Sequence, residues 1–150
     1  MLKTFCKSLF VVFSLVLGLC LTNCTSKPAD EIAGTYSGTL TKSVEGLSIG
    51  EVVAEVNINK ISDDKVTVII PALSNGDEMA LPALTIADVV VSTKKTGGYK
   101  LAKTPINITT EDFIITGSIE GTVIDKKLTL TGAIKPGAMP MNIDINFISK

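Results

Sequence analysis

From Gly34 onward the chain alternates apolar and polar residues in short runs separated by turn formers, and no other feature restricts its fold as much. Successive side chains of a strand point to opposite faces, so this alternation describes strands with one dry and one wet face. Eight runs are expected as strands: Thr35 to Lys42, Glu51 to Ile61, Val66 to Ile70, about Thr85 to Thr93, Tyr99 to Lys103, Asp112 to Ile124, Lys127 to Ile134 and Met141 to Ile148. The first places Tyr36, Gly38 and Leu40 on one face and Thr35, Ser37, Thr39 and Thr41 on the other. The last alternates Met141, Ile143, Ile145 and Phe147 with Asn142, Asp144 and Asn146. Pro105 ends the fifth run. Residues 73–84 hold helix-friendly side chains, but Asn75-Gly76 and Pro82 cut them into a loop.

Sequential strands with short connections predict an all-β fold, an eight-stranded up-and-down antiparallel barrel; a β-sandwich is the alternative. Closure removes the sheet edges that promote aggregation. Gly38, Gly117, Gly121 and Gly132 fall inside strands, where glycine marks a bend or close approach. An outer-membrane barrel is excluded, because it needs an outward apolar band with aromatic girdles and the chain has two Tyr and no Trp.

The N terminus carries Lys3 and Lys7, an apolar run from Leu9 to Leu21, and then Leu21-Thr22-Asn23-Cys24 before a polar stretch. This reads as an export signal ending in a lipidated cysteine. The apolar run is shorter than the roughly 20 residues a transmembrane helix needs. Ordinary secretory cleavage prefers small residues where Leu21 and Asn23 stand, whereas a lipoprotein signal wants Leu at −3 and Cys at +1. Plain secretion and an uncleaved anchor are the alternatives. The expected organisation is a signal peptide over 1–23, lipidation at Cys24, a tether over 24–31 and a barrel domain over 32–150. The expected place is the cell envelope, lipid-anchored in the outer membrane, since Thr25 rather than Asp follows the cysteine.

That reading leaves little chemistry. Cys6 and Cys20 leave with the signal and Cys24 carries lipid, so no disulfide is expected. Histidine is absent, which removes the commonest general base and metal ligand. All basic residues are Lys; with Lys3 and Lys7 gone the 14 fall to 12, against 15 acids. Without Arg or a basic block, no nucleic acid is expected as partner. No catalytic residue, metal site or cofactor is expected, and paired carboxylates are the one enzymatic class with a reasonable ingredient list.

The segment Gly34-Thr35-Tyr36-Ser37-Gly38-Thr39-Leu40 resembles the opening strand of the calycin-like β-barrel lipoproteins of anaerobic Gram-negative gut bacteria. Asp63-Asp64-Lys65-Val66-Thr67-Val68, Gly117-Ser118-Ile119-Glu120-Gly121-Thr122-Val123 and Lys127-Leu128-Thr129-Leu130 agree in texture, and the likeness runs from about Ile32 to Lys150. It implies a barrel lipoprotein of unassigned ligand. Gly34-x-Tyr36 is also similar to the Gly-x-Trp signature of lipocalins, whose ring plugs one end of the barrel. That likeness implies a structural plug at Gly34 and Tyr36, with Tyr in place of Trp and without the Arg that packs on it.

Candidate site residues follow. Asp88 is expected to share a face with Ile86 and Val90, where a carboxylate can point into a lumen or stand in water at the mouth. Met79, Met139 and Met141 offer a soft apolar rim for a ligand, or lid packing. Glu51 with Glu55, and Asp112 with Glu120, are expected on solvated outer faces. Asn75-Gly76-Asp77-Glu78 has too few ligands for a calcium loop. Tyr36 is expected inside the barrel near one end, against Ile145 or Phe147. The function expected is a monomeric, membrane-anchored, non-enzymatic binding module for a small apolar ligand or an envelope protein. The alternative is a structural, accessory or inhibitor-type lipoprotein with a filled core.

Overall fold

The structure, a computed structural model, describes residues 27–73, 81–112 and 114–150. The expected signal, Cys24, Phe113, Met79 and the Asn75 to Glu78 stretch lie outside these residues. A short helix, α1 (Pro28–Ile32), leads into eight strands: β1 (Gly34–Val44), β2 (Leu47–Lys60), β3 (Lys65–Ile70), β4 (Leu84–Thr93), β5 (Tyr99–Thr109), β6 (Ile114–Ile124), β7 (Lys127–Pro136) and β8 (Ile143–Ser149). Each strand pairs antiparallel with the next, and β8 returns to β1 through Gly38↔Ser149, Leu40↔Phe147 and Lys42↔Ile145. The barrel is closed, so the sandwich alternative is set aside.

Alternation fixes which side faces in. On β3 the pattern is unbroken, with Val66, Val68 and Ile70 buried between half-buried Lys65, Thr67 and Ile69. On β8, Ile143, Ile145, Phe147 and Ser149 are buried while Asp144, Asn146 and Ile148 are exposed. Leu, Ile and Val from all eight strands, with Phe147, form one continuous core. Ser149 is buried with its hydroxyl used, accepting the Leu128 N–H at 2.8 Å. Gly38 is set by closure: a Cβ there would run into the Ile148 carbonyl oxygen and the Ser149 Cα on β8.

Several boundaries differ from expectation: β1 and β2 extend to meet at the 45–46 turn, β7 runs on to Pro136, β8 begins at Ile143 so that Met141 precedes it, and three further differences bear on the reading. β5 passes through Pro105 to Thr109, with Pro105 opposite Ser118 of β6. Its β4 neighbour pairs only at Tyr99 to Leu101. The missing proline N–H is therefore tolerated on what is locally an edge. β6 begins at Ile114, so exposed Asp112 precedes it and shares no strand face with Glu120. The last part of the stretch read as tether is α1, and its Ala29 and Ile32 are fully buried.

Candidate functional site

The up-and-down order gives the barrel two unlike ends. One carries α1, the 61–64, 94–98 and 125–126 turns and the C terminus; the other carries the 45–46, 71–83, 110–113 and 137–142 connections.

The first end is plugged. Pro28 at the start of α1 supplies a fixed φ where no N–H partner is needed. The helix is tied down by the Ala29 N–H donating to the Asp63 carbonyl at 3.1 Å. Lys60 holds Asp30 at 2.7 Å, and Lys27 holds Asp63 at 3.1 Å. The hydrogen bond from Lys27 holds the Asp63 carboxyl below its ordinary range, and the bond to Asp30 raises Lys60. Tyr36 is half-buried and in phase with Gly38 and Leu40, and its hydroxyl donates to the Ile32 carbonyl at 2.8 Å. Burial pushes that hydroxyl above 10.0. Tyr36 packs against the core cluster that holds Ile145 and Phe147, although on the ladder β8 reaches β1 only from Gly38 on, with Phe147 and Ile145 opposite Leu40 and Lys42. Gly34 is exposed, and a Cβ there would meet nothing within 4 Å, so it turns the chain and packs nothing. The plug is mainly Ala29 and Ile32, which lie just before the motif that the sequence singled out.

Asp88 is not a lumen residue. A bulge opposite Val66 to Val68 shifts the phase of β4, so that Ile86, Val89 and Val91 face in. Asp88 sits in the bulge at φ 56, with its side chain 70% exposed and 3.4 Å from Lys65. Asp and Asn tolerate that left-handed conformation better than most residues. Glu51 and Glu55 are exposed on the outer wall, where Ser37 donates to Glu55 at 3.1 Å. A shallow outer concavity of about 430 Å³ crosses β6, β7 and β8, with Glu120, Thr131, Asp144 and Asn146 in its lining.

The second end holds the more unusual group. Lys42 faces inward on β1, in phase with Leu40, and is only 4% exposed. Opposite it stand Ile145 on β8 and Gly50 on β2. Among the described residues its ammonium makes no hydrogen bond or ion pair. No buried nitrogen there is both sealed from solvent and unsatisfied, so the ammonium keeps a thread of water contact. Val44, Val52, Ile108 and Met139 are half-buried against the core at this same end. Leu47, Ile49 and Met141 are exposed on its rim. Met139 and Met141 thus stand at the expected rim, while Lys42 was missed as a site residue. Its phase with Tyr36, Gly38 and Leu40 was the available signal.

Residues 32–150 match the family model described as the calycin-like beta-barrel domain. The chain belongs to that family. Calycin-like barrels are in general binding scaffolds rather than enzymes. A crystal structure of a proposed outer membrane protein from Bacteroides fragilis NCTC 9343 shares the fold, with a TM-score of 0.71 and 29% identity over 84% of this chain. The match spans 53% of that protein, about half its length. No curated protein matches. Among the described residues no helix is long and apolar enough to cross a membrane.

Proposed function

We propose that this calycin-like chain is a lipid-anchored lipoprotein of the cell envelope whose barrel is a non-enzymatic binding module, with its site at the loop end rather than in a central lumen. The observation that carries the second half is the sealed interior. Eight strands enclose a space that side chains either just fill or leave open for one small ligand. Walls of an open lumen would touch a water-sized sphere, yet Val56, Val66, Val68, Ile115, Leu128 and Ile134 are 0% exposed. The interior is filled by the wall's own side chains, and the apolar surface left for recognition is the half-buried set at the loop end. The lipobox-like segment ending in Cys24, and the likeness to a proposed outer membrane protein, support the envelope half. The sealed core also suits the accessory or inhibitor reading, in which a protein partner sits on the same rim.

Cys24→Ser is expected to abolish palmitate labelling and release the protein from membranes; unchanged labelling and fractionation would refute lipidation. Native mass spectrometry of protein from its own host is expected to show a bound small molecule or protein that Met141→Lys weakens. Full retention by that variant would refute the loop-end assignment.

A further inference from the structure

We propose that the β4–β5 and β6–β7 turns form a basic face that docks on anionic phospholipid headgroups, so that the plugged end meets a membrane through charge as well as through lipid. This rests on the envelope reading above and adds a second contact that can be tested separately. The plugged end has two unlike halves. Around α1 and the 61–64 turn every lysine is in an ion pair: Lys27 with Asp63, Lys60 with Asp30 and Asp63, and Lys65 with Asp88. On the other two turns, Lys94, Lys95, Lys126 and Lys127 make no ion pair among the described residues. Asp125 is the one acid beside them. These turns are neighbours: Tyr99 stands opposite Val123, and a Cβ on Gly98 would run into the Val123 carbonyl oxygen and the Ile124 side chain. Ile124 is nevertheless 43% exposed, so the basic face has an apolar side chain within it.

Solubility and folding do not account for these lysines. The chain as a whole is net negative, so unpaired positive charge gathered on two adjacent turns runs against its balance. The backbone opposes one of the four outright. In the β1–β2 turn Glu45 at φ 50 is followed by Gly46 at φ 81; in the β6–β7 turn Asp125 at φ 50 is followed by Lys126 at φ 63. Tight hairpin turns of this kind favour glycine at the second place, because glycine reaches the left-handed region without a Cβ clash. Lys126 stands where its sister turn has glycine, and among the described residues its ammonium makes no ion pair that would offset the strain. A contact outside the fold would offset it. The position of the face selects the occupant. Lys27 lies on this same end, three residues after Cys24, so a lipid there brings these turns to a bilayer. Juxtamembrane lysines are attracted to anionic headgroups within about a Debye length, and an exposed isoleucine among them suits the apolar boundary beneath. Lysine point charges fit a diffuse sheet of charge, whereas the planar fork of arginine suits one phosphate held in fixed geometry.

The test uses the chain as its host processes it, placed on phosphatidylcholine vesicles with and without phosphatidylglycerol. Acetylation of each lysine by an N-hydroxysuccinimide ester is read by mass spectrometry. Phosphatidylglycerol is expected to protect Lys94, Lys95, Lys126 and Lys127 but not Lys103, which is exposed on the barrel wall. The protection should vanish at about 1 M salt, where the Debye length is about 3 Å. Equal labelling on both vesicles would overturn the basic face and leave lipidation standing. A chain that washes off both would refute lipidation, and labelling with vesicles kept in suspension would still decide the face. Lys94→Gln and Lys126→Gln are each expected to weaken docking about fivefold, read as protection of the remaining turn lysines; no change in either would overturn the proposal. Lys126→Gly should weaken docking equally while raising the melting temperature of the vesicle-free protein, and a lowered melting temperature would overturn the strain argument. Ile124→Asn should weaken docking on the bilayer. No effect of that variant, together with equal protection by a soluble polyanion, would overturn the lipid surface in favour of an anionic polymer.

Discussion

Ile32 offers the sharpest test of how the barrel is closed at its helical end. The residue is 0% exposed beneath a five-residue helix that could not persist alone in water. Ile32→Ala removes three carbons from a fully buried side chain. At about 0.8 kcal/mol per buried methylene or methyl that is roughly 2.4 kcal/mol of lost transfer energy. A residual cavity adds to this, bringing the expected cost to about 3 kcal/mol, within the range of about 2–5 kcal/mol for such truncations. For a domain of this size the unfolding entropy is near 0.25 kcal/mol/K, so the melting temperature should fall by roughly 10 °C. The control is Glu31→Ala, an exposed neighbour on the same helix, expected to move stability by no more than about 0.5 kcal/mol. Thermal and urea unfolding of both variants measure the difference. If Ile32→Ala costs less than about 1 kcal/mol, α1 does not plug the barrel in solution, and the reasoning about that end fails.

Three further outcomes are expected. Tyr36→Phe should cost about 1 kcal/mol at neutral pH for its one hydrogen bond to Ile32. Because the folded hydroxyl titrates above 10.0, its contribution is complete below that pH and is lost as pH rises through the folded value; melts from pH 8 to 11.5 should therefore show less alkaline destabilisation in Tyr36→Phe than in the parent. Asp63 titrates below 3.8, so its ion pairs support the plug above that value and stop doing so as pH falls through the lower folded value. Asp63→Asn should thus speed proteolysis near Lys27 at neutral pH and low salt, with the gap to the parent closing at high salt or strong acid. Gly38→Ala should break β1–β8 closure, because its methyl would meet β8 backbone that cannot yield, and loss of sharp amide dispersion across β1 and β8 in NMR spectra would show it.

Strand order and the inner face were legible because one period held over long stretches. Val52, Ala54, Val56 and Ile58 needed only counting, as did Ile115, Ile119 and Val123. The reading failed where local geometry breaks the count. Asp88 falls on the face of Ile86 and Val90 by simple counting because nothing in Ala87-Asp88-Val89 announces a bulge, and one extra residue reverses every later assignment. Pro105 looked like a stop because its tolerance depends on β4 being absent alongside, which is a tertiary fact. Ala29 and Ile32 looked like tether because a single helical turn has too few residues to show a period. Lys42 was counted as the last residue of a strand and given no role. A charged residue at strand's end is ordinary in water, and its burial follows only from barrel closure.

The helix at the plugged end also sets how the domain would stand on a bilayer. Between Cys24 and Lys27, where Lys27 pairs with Asp63, lie only three peptide steps, a reach of about 10 Å at full extension. An acyl chain on Cys24 would hold the Lys27 backbone within about a nanometre of the lipid headgroups, with the β2–β3 turn one lysine side chain beyond it. The strands would then act as a stalk that lifts Lys42 and its methionine rim to the side facing away from that membrane. A molecule shed by the anchoring leaflet would have to travel around the barrel wall to reach it, while one arriving from the opposite side would meet the rim first.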